Sequence, residues 1–202
     1  AIVQFLPEEL REFCEQYPSV RINLEERISP EVVRAVTESR TEIGIFAANV
    51  PAPQLELFPY HTDTLVLVVP QRHPLAGSRG VHFVDVVRKF DIVSFHPGSA
   101  LDCSIRTGAE ACRCVPRIRI HVPSFDAACR MVQNGFGVAV IPERLASPIS
   151  HNMHIRVVPL LESWATRQIL LGVREYARLP VPARLLLDHL SRKRPAIVKR
   201  DA

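Results

Sequence analysis

Short apolar runs alternate along this chain with amphipathic stretches that open on serine or proline, and that rhythm restricts the fold more than any other feature. Ile92 to Phe95 reads as a strand and runs into Pro97, Gly98 and Ser99. Ser99 and Asp102 then stand at capping-box spacing and open a helix toward Ala111. Downstream, Ile118, Ile120 and Val122 alternate with charged or polar residues. Ser124 opens a helix with Phe125, Ala128, Cys129 and Val132 on one face and Gly135 at its stop.

The first part of the chain has the same grammar. Pro7 starts a helix that runs to Gln16, with Glu8 and Glu9 at the positive end of its dipole and Leu6, Leu10, Phe13, Cys14 and Tyr17 at helical spacing. Val20, Ile22 and Leu24 alternate as a strand with one buried face. Ser29, Pro30 and Glu31 then open a helix carrying Val32, Val33 and Val36, with Ser29 as its N-cap. Further strands are expected at 42–46, 138–141, 155–159 and 168–173, apolar segments follow at 55–59 and 64–69, and a last helix is expected at 182–191. Such alternation points to an α/β fold with mainly parallel pairing, and the number of units exceeds one small sheet, so two subdomains are expected.

Composition excludes several classes. The 202 residues are 47% hydrophobic and 23% charged, far from the signature of disorder. The longest apolar run, Leu65 to Pro70, is too short for a membrane helix, and no secretory leader opens the chain. Five cysteines, an odd number, favour a reducing compartment and a cytoplasmic location; Cys14 and Cys129 read as small apolar residues. Cys103, Cys112 and Cys114 contain no CxxC pair and read as unpaired thiols, while His151 and His154 read as loop histidines, so no metal is expected.

Charge is uneven. Residues 1–69 carry 5 basic and 11 acidic side chains, whereas residues 70–169 carry 12 and 7. A basic tail at 193–202 reads as a solvated terminus, not as a DNA-binding surface.

Ser29, Ser99 and Ser124 each stand where a strand hands over to a helix, the place where an open α/β sheet binds ligands and where helix N-termini favour anions. Capping alone also explains each serine. No GxSxG elbow, HExxH helix, Walker loop or GxGxxG turn is present, and His96 and Asp102 flanking Ser99 do not make a triad by nearness in sequence. No enzyme activity and no cofactor are expected.

FLPEELREFCEQYPSVRINLEERIS, PYHTDTLVLVVPQRHPLAG, FHPGSAL and SFDAACRMVQNGFGVAVIPE, in that order, closely resemble the regulatory region of LysR-type transcriptional regulators over nearly the whole chain. The resemblance implies two Rossmann-like subdomains of the periplasmic-binding-protein type 2 fold, joined by two crossover strands, with a small-molecule effector in the cleft between them. Subdomain I is expected at 1–69 plus 170–192 and subdomain II at 70–169. The family's helix-turn-helix, linker helix and first regulatory strand are not in this chain, so DNA is expected to be contacted only through a DNA-binding domain absent here. Position by position, the family's effector contacts fall on Ser29, Ala47, Ala48, His96, Gly98, Ser99, Ser124 and Phe125, with a small carboxylate or other anion as the expected effector. The resemblance implies an antiparallel homodimer, and the uneven charge makes Glu8 and Glu12 of the first helix candidate contacts for Arg130 of the other chain. A tetramer is expected for the full-length regulator. A transport solute-binding protein would share the fold, but five cysteines argue against it.

Overall fold

The computed structural model describes residues 5–191. In chain order the elements are α1 (Leu6–Gln16), α2 (Ser29–Thr37), β1 (Gly44–Ala47), β2 (Glu56–Pro70), α3 (Phe83–Lys89), β3 (Ile92–Ser94), α4 (Ala100–Ala111), β4 (Ile118–His121), α5 (Phe125–Gln133), β5 (Ala139–Pro142), α6 (Glu143–Asn152), β6 (Ile155–Pro159), β7 (Thr166–Val173) and α7 (Val181–Ser191). They form two compact units. The first holds the described residues up to Thr62 and from Gln168; the second is Asp63–Arg167. Both boundaries fall earlier along the chain than the 69/70 and 169/170 divisions expected from the sequence.

In the first unit β1 pairs antiparallel with β7, Phe46 opposite Leu170, and α2 lays Val36 over them. Leu6 and Phe13 of α1 and Leu187 and Leu190 of α7 are buried. Glu9 of α1 turns inward, accepting hydrogen bonds from the Tyr60 hydroxyl and sitting 3.1 Å from His61 Nε2.

Two sequence expectations fail in this unit. Val20 to Leu24 forms no strand, because alternation decides which side chains turn inward but a strand also needs a hydrogen-bonded neighbour. The segment finds none among the described residues and instead lines, with Ala35, Ile45 and Leu186, a cavity of about 620 Å3. Ser29 is not an N-cap either. The Glu31 and Val32 N–H groups that it would satisfy both bond the Ile28 carbonyl, at 2.9 and 3.0 Å, so Ile28 takes the cap place.

In the second unit β2 runs between β5 and β6, antiparallel to both, with Leu67 opposite Val140 on one side and Val158 on the other. β3 and β4 are parallel, and a parallel bridge joins Ile92 to Val138. The expected predominance of parallel pairing is therefore corrected: the 15-residue β2 enters from the first unit, and its direction is set by that entry and not by a strand–helix–strand crossover. The core gathers Leu65, Phe83, Ile92, Ile105, Ile141 and Ile155. Where the chain enters and leaves the unit, the half-buried Arg167 donates to Oδ2 of the buried Asp63 from Nη2 at 2.7 Å and Nε at 3.1 Å.

Cys129 is fully buried, and burial pushes its thiol up to about 11. Cys14, expected to behave as a small apolar residue on the helix, is exposed on the solvent side of α1. The basic tail at 193–202 lies outside the described residues.

Candidate effector site

Because β3 and β4 are parallel, both end at the same edge of the second unit, at Ser94 and His121. Helices α4 and α5 start from that edge. The Ser99 Oγ accepts the Asp102 N–H at 3.2 Å and the Ser124 Oγ accepts the Ala127 N–H at 3.2 Å, so both serines are the N-caps that the sequence predicts. Each oxygen acts toward its helix as an acceptor, which leaves the hydroxyl proton able to donate to a ligand oxygen. The two helix starts also direct positive dipole ends and first-turn amides to one place, a setting that favours an anion.

The loop between β3 and α4 is held from below by Asp102. Its carboxylate accepts from the Ser94 hydroxyl at 3.2 Å, the Gly98 N–H at 3.1 Å and Arg106 Nε at 2.9 Å. Burial works to raise this carboxyl group, but Arg106, the Gly98 N–H and Ser94 outweigh it and hold it below the usual carboxylate range. Gly98 has φ +77°, a backbone conformation that a side chain would strain, and so permits the turn that brings its N–H onto Asp102. His96 is exposed with Nδ1 2.8 Å from the Pro97 carbonyl, and the half-buried Phe125 ring lies 5.1 Å from that of Phe95. His96, Gly98, Ser99, Ser124 and Phe125 thus belong to one edge of one unit.

The remaining predicted contacts lie in the first unit. Ser29 Oγ accepts the Ala47 N–H at 3.5 Å, which joins the start of α2 to the end of β1, and the Ala48 N–H bonds the Gln168 carbonyl at 2.9 Å. Ala47 is buried and Ala48 half-buried. None of the eight predicted effector residues lines the 620 Å3 cavity. Of the predicted dimer contacts, Glu8 and Glu12 are exposed, and Arg130 pairs with Asp126 of its own helix at 2.7 Å.

Sequence reasoning placed Asp102 only in a capping box. Its carboxylate in fact bypasses the Ser99 N–H for that of Gly98, and the signal that could have shown its wider role is Arg106 one turn later. Among the described residues no group of three or more His, Cys, Asp or Glu is gathered to hold a metal ion. His151 instead bonds the Ser147 carbonyl at 2.7 Å.

A family model for the LysR substrate binding domain matches residues 1–194. The chain belongs to this family. As a LysR substrate-binding domain it is an effector-sensing regulatory domain of the transcriptional-regulator type. The HTH-type transcriptional regulator YwbI of Bacillus subtilis is 25% identical over 185 residues, 92% of this chain and 61% of that protein, so the chain spans less than two thirds of this relative's length. The effector binding domain of QuiR in complex with shikimate superposes with a TM-score of 0.83 at 18% identity, covering 94% of this chain and 90% of that one. The regulatory domain of Synechocystis CcmR in complex with 2-PG gives 0.84 at 18% identity, over 95% and 92%. These likenesses give the LysR domain the periplasmic-binding-protein type 2 fold. Among its described residues no helix is long and apolar enough to cross a membrane.

Proposed function

We propose that this domain senses a small carboxylate or similar anionic metabolite through Ser99 and Ser124, with Gly98, His96 and Phe125 beside them. The observation that carries the reading is the convergence of two serine-capped helix starts at one sheet edge. QuiR is described with shikimate, a carboxylate, which makes monocarboxylates the first class to try. A regulator works through such a site only if the effector binds one arrangement of the protein better than another. We propose that the shift it selects is passed to a DNA-binding region of the full-length regulator, that the protein is a cytoplasmic homodimer and a tetramer when full length, and that the domain neither catalyses a reaction nor needs a cofactor.

Isothermal titration with a panel of monocarboxylates that includes shikimate tests the site. Ser99→Ala and Ser124→Ala should each weaken a bound carboxylate by about 0.5–1.5 kcal/mol, the worth of one hydroxyl hydrogen bond. Unchanged affinity in both variants would leave the serines as helix caps only and sink the proposal.

A further inference from the structure

The second unit has another edge, where β3, β4 and β5 begin, and a pocket of about 480 Å3 opens there. Arg72, Lys89, Arg117 and Arg119 stand around it, and Asp91 is the one carboxylate in its wall. That carboxylate is divided between two cations. Arg117 Nε lies 3.2 Å from Oδ1 and Arg119 Nη1 lies 3.2 Å from Oδ2. Arg117 Nη2 is also anchored on the Lys89 carbonyl at 2.8 Å. Both guanidinium groups border the pocket, and its wall keeps an excess of positive charge. A guanidinium has five donors, and these contacts use only part of each set.

The rest of the wall is flat and apolar. Phe136, an exposed large apolar side chain at 39% accessibility, lies under the Arg119 guanidinium at 5.8 Å, and the Phe90 ring packs on His73 at 4.4 Å. Pro70, Pro74, Gly135, Gly137 and Val138 complete it. The volume lies in the range of small-molecule sites, and cations beside ring faces suit a planar anion. None of these residues belongs to the proposed effector site, which sits where the same strands end.

We propose that this pocket is a second ligand site, taking a small anion, phosphate or carboxylate, attached to a planar apolar body. The anion would accept from Arg119 and Arg117 while its planar part lies against Phe136.

Phenyl phosphate is a suitable probe for the 202-residue chain, with inorganic phosphate as the anion lacking a ring. Titration followed by amide chemical shifts should show saturable changes at Gly135, Phe136, Gly137 and Val138, with inorganic phosphate binding more weakly. Arg119→Gln should weaken phenyl phosphate about tenfold or more, and Phe136→Ala severalfold, as for loss of a charge-assisted contact and a ring contact. Both side chains are at the surface, and unchanged melting temperatures would show that the variants fold. Ser124→Ala should leave this binding unaltered, so failure here and failure of the effector proposal are separable. Binding lost only in Ser124→Ala, equal affinity for both probes, or no binding at millimolar phenyl phosphate would each overturn the proposal. So would a dimer that dissociates in Arg119→Gln without phenyl phosphate binding, which would make the pocket a contact between copies.

Discussion

Asp102 is 1% exposed, yet it carries charge into the base of the loop between β3 and α4 and holds three partners there. A buried carboxylate is tolerated only when its oxygens are satisfied, and here Arg106 and two neutral donors supply that. Because its folded-state pKa is depressed, the stability it contributes is fully present above the unfolded carboxylate value of about 3.9 and is lost as pH falls through the lower folded value. Asp102→Asn should therefore cost about 1–3 kcal/mol at neutral pH and flatten the acid limb of the stability curve. Denaturant unfolding from about pH 2 to pH 7 measures both. An acid limb as steep as in the parent protein would show that other carboxylates carry it. The pairing of Ser99 with Asp102 was legible from their spacing. The reach of the carboxylate to Gly98 was not, since it depends on the left-handed turn that Gly98 adopts.

At the scale of elements, α4 holds a glycine where propensity alone would place another residue. Gly108→Ala in an open helix is worth about 1 kcal/mol of added stability. Here a Cβ would stand 2.8 Å from Trp164 Cζ2 and 2.9 Å from Cε2, and the indole is itself packed edge-on to Phe83 at 5.2 Å. Gly108→Ala should accordingly destabilise the protein by about 1–3 kcal/mol, and Trp164→Leu should remove most of that penalty. Thermal melts of the two single variants and the double variant decide the sign; a stabilised Gly108→Ala protein would mean that the indole moves aside at little cost. The elements legible in the sequence were those with their own signals: Pro7 for α1, Ser99 for α4, Ser124 for α5, and apolar runs for the strands. Helix α5 even ends as Gly135 predicts, with Phe136 N–H on the Met131 carbonyl at 3.1 Å and Gly135 N–H on that of Val132 at 3.0 Å. Helix α3 escaped notice because its start is satisfied from far along the chain, Phe83 N–H donating to Glu162 Oε1 at 2.6 Å. Helix α6 escaped because Pro148 interrupts its interior, a residue that argues against a helix when only local rules are applied.

For the whole molecule, the two units differ in charge as the sequence arithmetic suggested. Over the described residues the first carries 8 basic and 12 acidic side chains, the second 12 and 8. In the proposed homodimer an antiparallel arrangement sets unlike units of two chains against each other, and a two-fold axis repeats each contact. A parallel arrangement would oppose like charges. The side chains of α1 and α5 refine which charges are available. Glu9 is committed to Tyr60 and His61 and Glu15 pairs with Arg11 at 3.0 Å, while Glu8 and Glu12 are exposed on α1 and are the acidic positions to test. Arg130 already pairs with Asp126, but both side chains are more than half exposed, and an exposed pair of this kind is worth less than about 1 kcal/mol, so it can exchange partners. Exposed charges are screened beyond about 10 Å at 0.1 M salt, so apolar contacts must supply most of the affinity while charge sets the orientation. Cysteines introduced at Glu12 and Arg130, in a background lacking the native thiols, should crosslink between chains, and light scattering should show a dimer that persists as salt is raised. A monomer at micromolar concentration removes the dimer, and crosslinking of Glu12 only to Glu12 makes it parallel.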